Sequence, residues 1–142
     1  MRWLARREYG RAELRARLIS RGCEAGEVDL ALDALVEGGY LSDARCAEAL
    51  VAGHTGRYAR RASARTLAER GIDADAAAQA LAPLAARDEV EEALALWRRR
   101  FGVAPANERE KARQWRFLLS RGYSSAIAYK VLRAAGAPID DE

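Results

Sequence analysis

The dipeptide Arg-Gly occurs three times, at Arg21-Gly22, Arg70-Gly71 and Arg121-Gly122, at intervals of 49 and 51 residues. Its surroundings recur with it. Four residues before each glycine stands a leucine (Leu18, Leu67, Leu118), and ten residues after it stands another (Leu32, Leu81, Leu132). Directly after it comes Cys23, Ile72 or Tyr123. A period of about 50 residues is the mark of a repeat architecture, whose units are too small to bury a core alone and share one by stacking. Such arrays offer extended surfaces, which suit binding better than catalysis.

Alanine and arginine dominate, Val, Ile and Thr are scarce, and there are only three prolines. That composition favours helix throughout. The hydrophobic spacing predicts three helices per repeat. In the first repeat, residues 1–44, a short basic helix over 2–8 ends at Tyr9-Gly10 with the glycine in the left-handed conformation. A second helix over 11–21 buries Leu14, Leu18 and Ile19. A third over 25–37 buries Val28, Ala31, Leu32 and Leu35. In the second repeat, residues 45–86, Ser42 or Asp43 caps a helix over 43–52 that buries Cys46, Ala49 and Leu50. Gly53 to Gly56 then form a loop, a helix spans 59–70, and Asp73 caps one over 74–86 that Pro83 kinks or ends early. In the third repeat, residues 87–133, Val90, Leu94, Trp97 and Phe101 form one apolar stripe. A helix over 108–121 carries Trp115, Leu118 and Leu119. Ser124 caps the last, with Ile127, Val131 and Leu132 inward, and residues 134–142 are expected to fray.

The charge pattern narrows the function. Residues 1–44 carry 7 basic and 8 acidic side chains, residues 45–86 carry 6 and 4, and residues 87–142 carry 11 and 9. This mild basic excess toward the C-terminus suits a polyanion or an acidic protein surface. Enzymatic chemistry finds no support. His54 is the only histidine and lies in a glycine-flanked loop without a neighbouring acid, so it reads as a solvated loop residue. Asp88, Glu89, Glu91 and Glu92 crowd the first turns of a helix whose last turn is Arg98, Arg99 and Arg100, an order that suits the helix dipole and needs no metal. Cys23 and Cys46 show no metal spacing and read as reduced core thiols. No cofactor motif is present. With no signal peptide and no apolar run of the ~20 residues a membrane span needs, the expected location is the cytoplasm.

The candidate binding residues fall into two basic clusters. One is Arg57, Arg60, Arg61 and Arg65; the other is Arg98, Arg99 and Arg100 followed by Lys111, Arg113, Arg116 and Arg121. Arginine's planar fork suits phosphate and carboxylate. Arg57, Arg61 and Arg65 stand four apart and are expected to line one helical face. A solvated charged face is the default for any one of them, and repetition in two neighbouring repeats favours binding. Tyr9 and Tyr58 each lie 12 residues before the arginine of an Arg-Gly pair. They are expected to pack at the joint between first and second helices, with contact to bases or a partner as the alternative. Trp97 and Trp115 are expected in the core, Trp3 partly exposed.

Three segments resemble one family. They are Ala5-Arg6-Arg7-Glu8-Tyr9-Gly10-Arg11-Ala12-Glu13-Leu14 followed by Leu18 and Arg21-Gly22; Tyr40-Leu41-Ser42-Asp43-Ala44-Arg45-Cys46-Ala47-Glu48-Ala49; and Arg116-Phe117-Leu118-Leu119-Ser120-Arg121-Gly122-Tyr123-Ser124. In order and spacing they are similar to RecX proteins, bacterial regulators of the recombinase RecA. The resemblance implies an all-α fold of three tandem three-helix repeats in an elongated, curved array. It implies binding to RecA and to the RecA–ssDNA filament, with filament growth blocked or disassembly promoted, and direct contact with DNA. The expected protein is therefore a monomeric, non-enzymatic negative regulator of RecA in DNA repair, homologous recombination and the SOS response. A helix-turn-helix DNA-binding protein acting independently of RecA is the alternative, and a generic helical scaffold a third. Cys46, Ala59 and Ser63 depart from the family's aromatic, glycine and aliphatic. The bulk missing at Cys46 and Ser63 is expected to thin the middle repeat by about 1–3 kcal/mol per large side chain lost.

Overall fold

The computed structural model of the chain describes residues 8–136. The expected helix over 2–8 (Glu8 apart), Trp3 and the tail beyond Gly136 lie outside them. Among the described residues there are eight α-helices and no strand: α1 (Arg11–Ser20), α2 (Ala25–Glu37), α3 (Asp43–His54), α4 (Arg60–Glu69), α5 (Ala74–Leu81), α6 (Glu89–Arg100), α7 (Glu108–Ser120) and α8 (Ser125–Ala134). None of these helices is long and apolar enough to cross a membrane. Side-chain caps set most of the starts. Glu24, Asp73, Asp88, Asn107 and Ser124 accept N–H bonds from the first turns of α2, α5, α6, α7 and α8. The two N–H donors of Gly26 and Glu27 hold the Glu24 carboxyl below its ordinary range. Pro83 has the effect expected of it: α5 stops at Leu81 and continues only as a 3₁₀ turn, Ala82–Ala86.

The recurring Arg-Gly is a helix-stop device. Each glycine has positive φ, +93° at Gly22, +69° at Gly71 and +95° at Gly122. The residue after it donates its N–H to the carbonyl of the leucine four before the glycine: Cys23 to Leu18 at 3.2 Å, Ile72 to Leu67 at 3.1 Å and Tyr123 to Leu118 at 3.2 Å. The glycine N–H itself bonds to the next carbonyl, on Ile19, Ala68 and Leu119. This is the Schellman arrangement, and it accounts for three repeated features together: the leucine, the glycine and the apolar residue that follows. At two of the turns the missing side chain has a second use. A Cβ on Gly71 would stand 2.9 Å from Ala12 Cβ, and one on Gly122 would stand 2.7 Å from Ala62 Cβ. Each turn thus closes against the region of the second helix in the preceding repeat. Tyr9-Gly10 works differently from the expectation: Gly10 has φ −79° and begins α1 in an extended conformation.

The chain divides into two compact units. One holds the described residues to Gly53 together with Ser63–Pro83; the other holds His54–Ala62 with the described residues from Leu84 onward. In the first unit α1 packs on α2, over a core of Tyr9, Leu14, Val28, Leu32 and Leu41. Cys46, Leu67, Ile72 and Leu81 are buried as well. Asp43 joins three helices of this unit. Ser42 caps α3 by accepting from Arg45 N–H at 3.2 Å. That leaves the Asp43 carboxylate to accept from Arg11 N–H at 2.9 Å, at the start of α1, and from Asp73 N–H at 2.8 Å, at the start of α5.

Several positions expected in the core lie at its edge or outside it. Cys23 is exposed, Ile19, Ala31 and Ala49 are exposed, and Leu18 and Leu35 are half-buried at the core's edge. In α3 the buried set is Cys46, Ala47, Leu50 and Val51, so the inward face lies one residue away from the expected Ala49.

In the second unit α6, α7 and α8 pack on one another. Their core includes Ala59, Ala93, Leu96, Trp97, Leu118 and Tyr123. The deepest line of α6 is Ala93, Leu96 and Trp97, flanked by half-buried Val90, Leu94 and Phe101 from the expected stripe. Trp97 Nε1–H donates to Gln114 Oε1 at 2.8 Å, and Gln114 Nε2 donates to the Val103 carbonyl at 3.2 Å, so the buried amide is satisfied. Trp115 and Ile127 are half-buried against the core, whereas Leu119 is 37% exposed. Ala59 N–H donates to the Arg121 carbonyl at 2.8 Å, fixing the segment before α4 to the last Arg-Gly turn.

Candidate functional site

Rings and guanidinium groups alternate across the second unit. His54, expected in a loop, is the last residue of α3, and its ring lies 4.5 Å from that of Tyr58. Arg121 Cζ stands 4.9 Å from the Tyr58 centroid and 5.0 Å from that of Phe117. Arg100 Cζ follows, 5.8 Å from Phe117 and 5.0 Å from Phe101. Arg113 closes the row, 5.9 Å from Phe101. The two phenylalanines meet edge to face with centroids 5.3 Å apart. The five arginine–ring separations fall within the range in which a ring's quadrupole attracts a cation. The ladder exists because α6 ends at Arg100, with Phe101 as its C-cap, and packs beside α7, which carries Arg113 and Phe117. The turn at residues 55–58 brings Tyr58 to Arg121.

One side of the ladder opens into a cleft of about 660 Å³. Arg57, Arg99, Arg100 and Arg121 line it with Tyr58, Phe117 and Leu96, and no carboxylate is among its lining residues. Two of the arginines are tethered. Arg121 Nη1 donates to the Arg57 carbonyl at 3.2 Å, and Arg99 Nη2 donates to the Gly56 carbonyl. A guanidinium has five N–H donors, so each keeps a free fork beyond its tether.

Four of the eleven candidate residues named from the sequence meet in this cleft. Arg113 lies on a smaller, mixed-charge depression of about 310 Å³ that also holds Glu110. Arg60 borders another with Arg87, Asp88 and Glu89. Arg61 Nη2 donates to the Gly122 carbonyl at 3.0 Å. Lys111 Nζ lies 4.0 Å from Glu108, and Arg98 and Arg116 are exposed on α6 and α7. Arg65 is exposed on the part of α4 that belongs to the first unit. The shared helical face of Arg57, Arg61 and Arg65 does not form, because α4 begins at Arg60 and Arg57 precedes it. Tyr58, for which the sequence offers partner contact only as the alternative to packing at a helix joint, is joined by Phe101 and Phe117, which the basic clusters do not include. Each follows a basic residue directly, as Arg57-Tyr58, Arg100-Phe101 and Arg116-Phe117, and that recurring pair is the signal that marks them.

Two of the three arginines of α1 are placed otherwise. Arg15 Nε donates to Asp29 Oδ1 at 2.8 Å, and Arg11 Nη1 stands 2.9 Å from Asp33 Oδ1. The Arg15 hydrogen bond holds the Asp29 carboxyl below its ordinary range. These charges are already answered within the first unit.

The comparisons agree in kind. The first, second and third three-helix domains of RecX match residues 1–35, 42–81 and 87–132 in order. The regulatory protein RecX of Leptothrix cholodnii is 42% identical over 135 residues, covering 95% of this chain and 85% of its own length. That of Ralstonia nicotianae is 37% identical over 139 residues, covering 98% and 87%. In fold, the crystal structure of RecX from Lactobacillus salivarius matches with a TM-score of 0.70 at 18% identity, over 95% of this chain and 90% of that one. With three domain matches in sequence and relatives well above the level of chance likeness, the chain belongs to the RecX family of regulatory proteins.

Proposed function

We propose that the chain regulates the RecA recombinase negatively. It binds RecA or the filament RecA forms on single-stranded DNA, and blocks filament growth or promotes disassembly, without chemistry of its own. The observation that carries this reading is the ordered match of all three RecX domains along the chain. The cationic cleft adds support, since it offers a surface for an anionic partner. Mass action supplies the mechanism: a ligand that prefers dissociated or capped subunits draws the equilibrium away from filament. Repeats that engage neighbouring subunits add contacts within one binding event. A cytoplasmic place in DNA repair, recombination and the SOS response follows from the same reading.

The test is ATP turnover by RecA of the same organism on single-stranded DNA, with rising amounts of the folded protein. Substoichiometric inhibition is expected. Its absence refutes the proposal. Co-sedimentation with filaments against naked DNA of equal length, at varied salt, separates RecA binding from DNA binding independent of RecA.

A further inference from the structure

We propose that the arginine cleft of the second unit is a docking site for an extended acidic peptide segment of a protein partner. Its carboxylates are taken by Arg57, Arg99, Arg100 and Arg121, and its intervening apolar side chains rest on Leu96 and Phe117. The assignment deepens the function proposed above and rests on it in taking the partner to be the regulated protein.

Charge sets the sign of the ligand. Four guanidiniums and no carboxylate line the cleft, whereas Arg11 and Arg15 of α1 are paired with Asp29 and Asp33. Preorganisation makes the charge usable. Arg99 and Arg121 are tethered to backbone carbonyls of the 55–58 turn, and Arg100 and Arg121 each lie against two rings. Side chains already held in place lose little rotamer freedom when a ligand arrives. The free fork of each guanidinium matches the two oxygens of a carboxylate.

The rings decide between protein and nucleic acid. Proteins that grip single strands offer open aromatic faces on which successive bases stack. Here Tyr58 is already met by His54 and Arg121, and Phe117 by Arg121, Arg100 and Phe101. With cations already on these rings, successive bases lack the row of open platforms they need, and what remains is fixed positive charge beside the part of Leu96 and Phe117 that lines the cleft, enough for a small aliphatic side chain. An extended peptide alternates its side chains between two directions, so a segment mixing acidic and aliphatic residues satisfies both. The volume, about 660 Å³, is that of sites holding a few side chains.

The experiment uses the full chain and three titrations. A short fluorescein-labelled peptide of repeated Asp-Leu-Glu-Leu, acidic on one face and aliphatic on the other when extended, is followed by polarisation, with its Asn-Leu-Gln-Leu counterpart as control and a labelled oligothymidylate of similar length as the nucleic-acid arm. The paired substitution Arg57→Gln and Arg100→Gln removes two exposed charges that hold no backbone carbonyl; because Arg100 also lies against Phe101 and Phe117, a small fall in melting temperature is expected, and circular dichroism at the titration temperature checks that the helix content is unchanged. Arg109→Gln with Arg133→Gln is the charge-matched control outside the cleft. The wild-type chain is expected to bind the acidic peptide and not the neutral one, more weakly as salt rises. The cleft pair is expected to weaken binding about tenfold while the control pair leaves it intact. Equal loss from both pairs, no loss from the cleft pair, or capture of oligothymidylate but not peptide overturns the proposal. RecA ATPase run beside these titrations keeps the two readings apart. Inhibition without peptide binding sinks the cleft assignment alone, and peptide binding without inhibition sinks the regulatory reading alone.

Discussion

Replacing the glycine of each Arg-Gly turn with alanine separates two demands made on one residue. The backbone is left-handed at all three, with φ of +93° at Gly22, +69° at Gly71 and +95° at Gly122. An L-residue held there costs about 1–2 kcal/mol, and this share is common to the series. The surroundings are not common. Nothing lies within 4 Å of a Cβ built on Gly22, whereas one on Gly71 meets Ala12 Cβ at 2.9 Å and one on Gly122 meets Ala62 Cβ at 2.7 Å. Each of those neighbours is a Cβ on a helix and moves only with its backbone. Overpacking of that kind adds about 1–3 kcal/mol. Gly22→Ala is therefore expected to cost about 1–2 kcal/mol, and Gly71→Ala and Gly122→Ala about 2–5 kcal/mol each. Urea unfolding followed by circular dichroism measures the three costs. Hydrogen exchange on α2, α5 and α8 shows which unit loosens. Equal costs at all three turns would refute the claim that Arg-Gly recurs for close packing as well as for chain reversal.

Asp43→Ala is expected to destabilise the first unit by about 2–4 kcal/mol, since it strips acceptors from two helix starts at once. Asp43→Asn keeps one oxygen and is expected to cost about half as much, with faster amide exchange at Arg11 or Asp73 reporting which bond was lost. Tyr123 gives a pH dependence. Burial first, then the nearby charges of Glu92 and Glu89, push its phenol up to about 12. An unfolded tyrosine ionises near about 10, so below that pH both states keep the proton and this group leaves stability unchanged. Above it the unfolded chain ionises first, and stability falls until the folded phenol ionises too. Tyr123→Phe is expected to remove that share of the alkaline loss, so the stability difference from wild type should be flat to pH 9 and change beyond pH 10; a difference flat throughout would show the phenol is not shifted.

What was legible in the sequence was what is local. The three Schellman turns need only a leucine, a glycine and an apolar residue at fixed offsets, and all three form. The caps at Asp73 and Ser124 and the stop before Pro83 are local in the same way. Burial was less legible, because spacing locates a face without saying which neighbour covers it. Ala49 was the natural helical partner of Cys46, yet Ala47 is the residue buried. Cys23 holds the same offset as Ile72 and Tyr123 but is exposed while they are buried. The difference follows the glycines: Gly71 and Gly122 have a second helix's alanine to close upon, and Gly22 has nothing within 4 Å. Asp43 was legible as a helix-start residue, but its service to α1 and α5 depends on approaches across 32 and 30 residues of chain.

The ladder shows how a repeat frame can turn one position to a new use. The residue five before the repeated glycine is Arg17 in the first repeat, Thr66 in the second and Phe117 in the third. In the first, Arg17 lies 5.2 Å over the ring of Tyr9, which stands 12 residues before Arg21, and that ring is closed into the core at 6% exposure. The second repeat keeps the tyrosine as Tyr58 but has Thr66 where the cation stood, and its ring takes Arg121 from the third repeat's turn instead. There Phe117 occupies the old cation position, so Arg121 gains a second ring at 5.0 Å. A closed ring–cation pair within one repeat thus becomes an open row drawn from two. Periodicity locates every one of these residues, but only their differences at equivalent positions reveal the row. The basic-face rule failed for Arg57 for the same reason, since it assumed that a repeated spacing carries a repeated use.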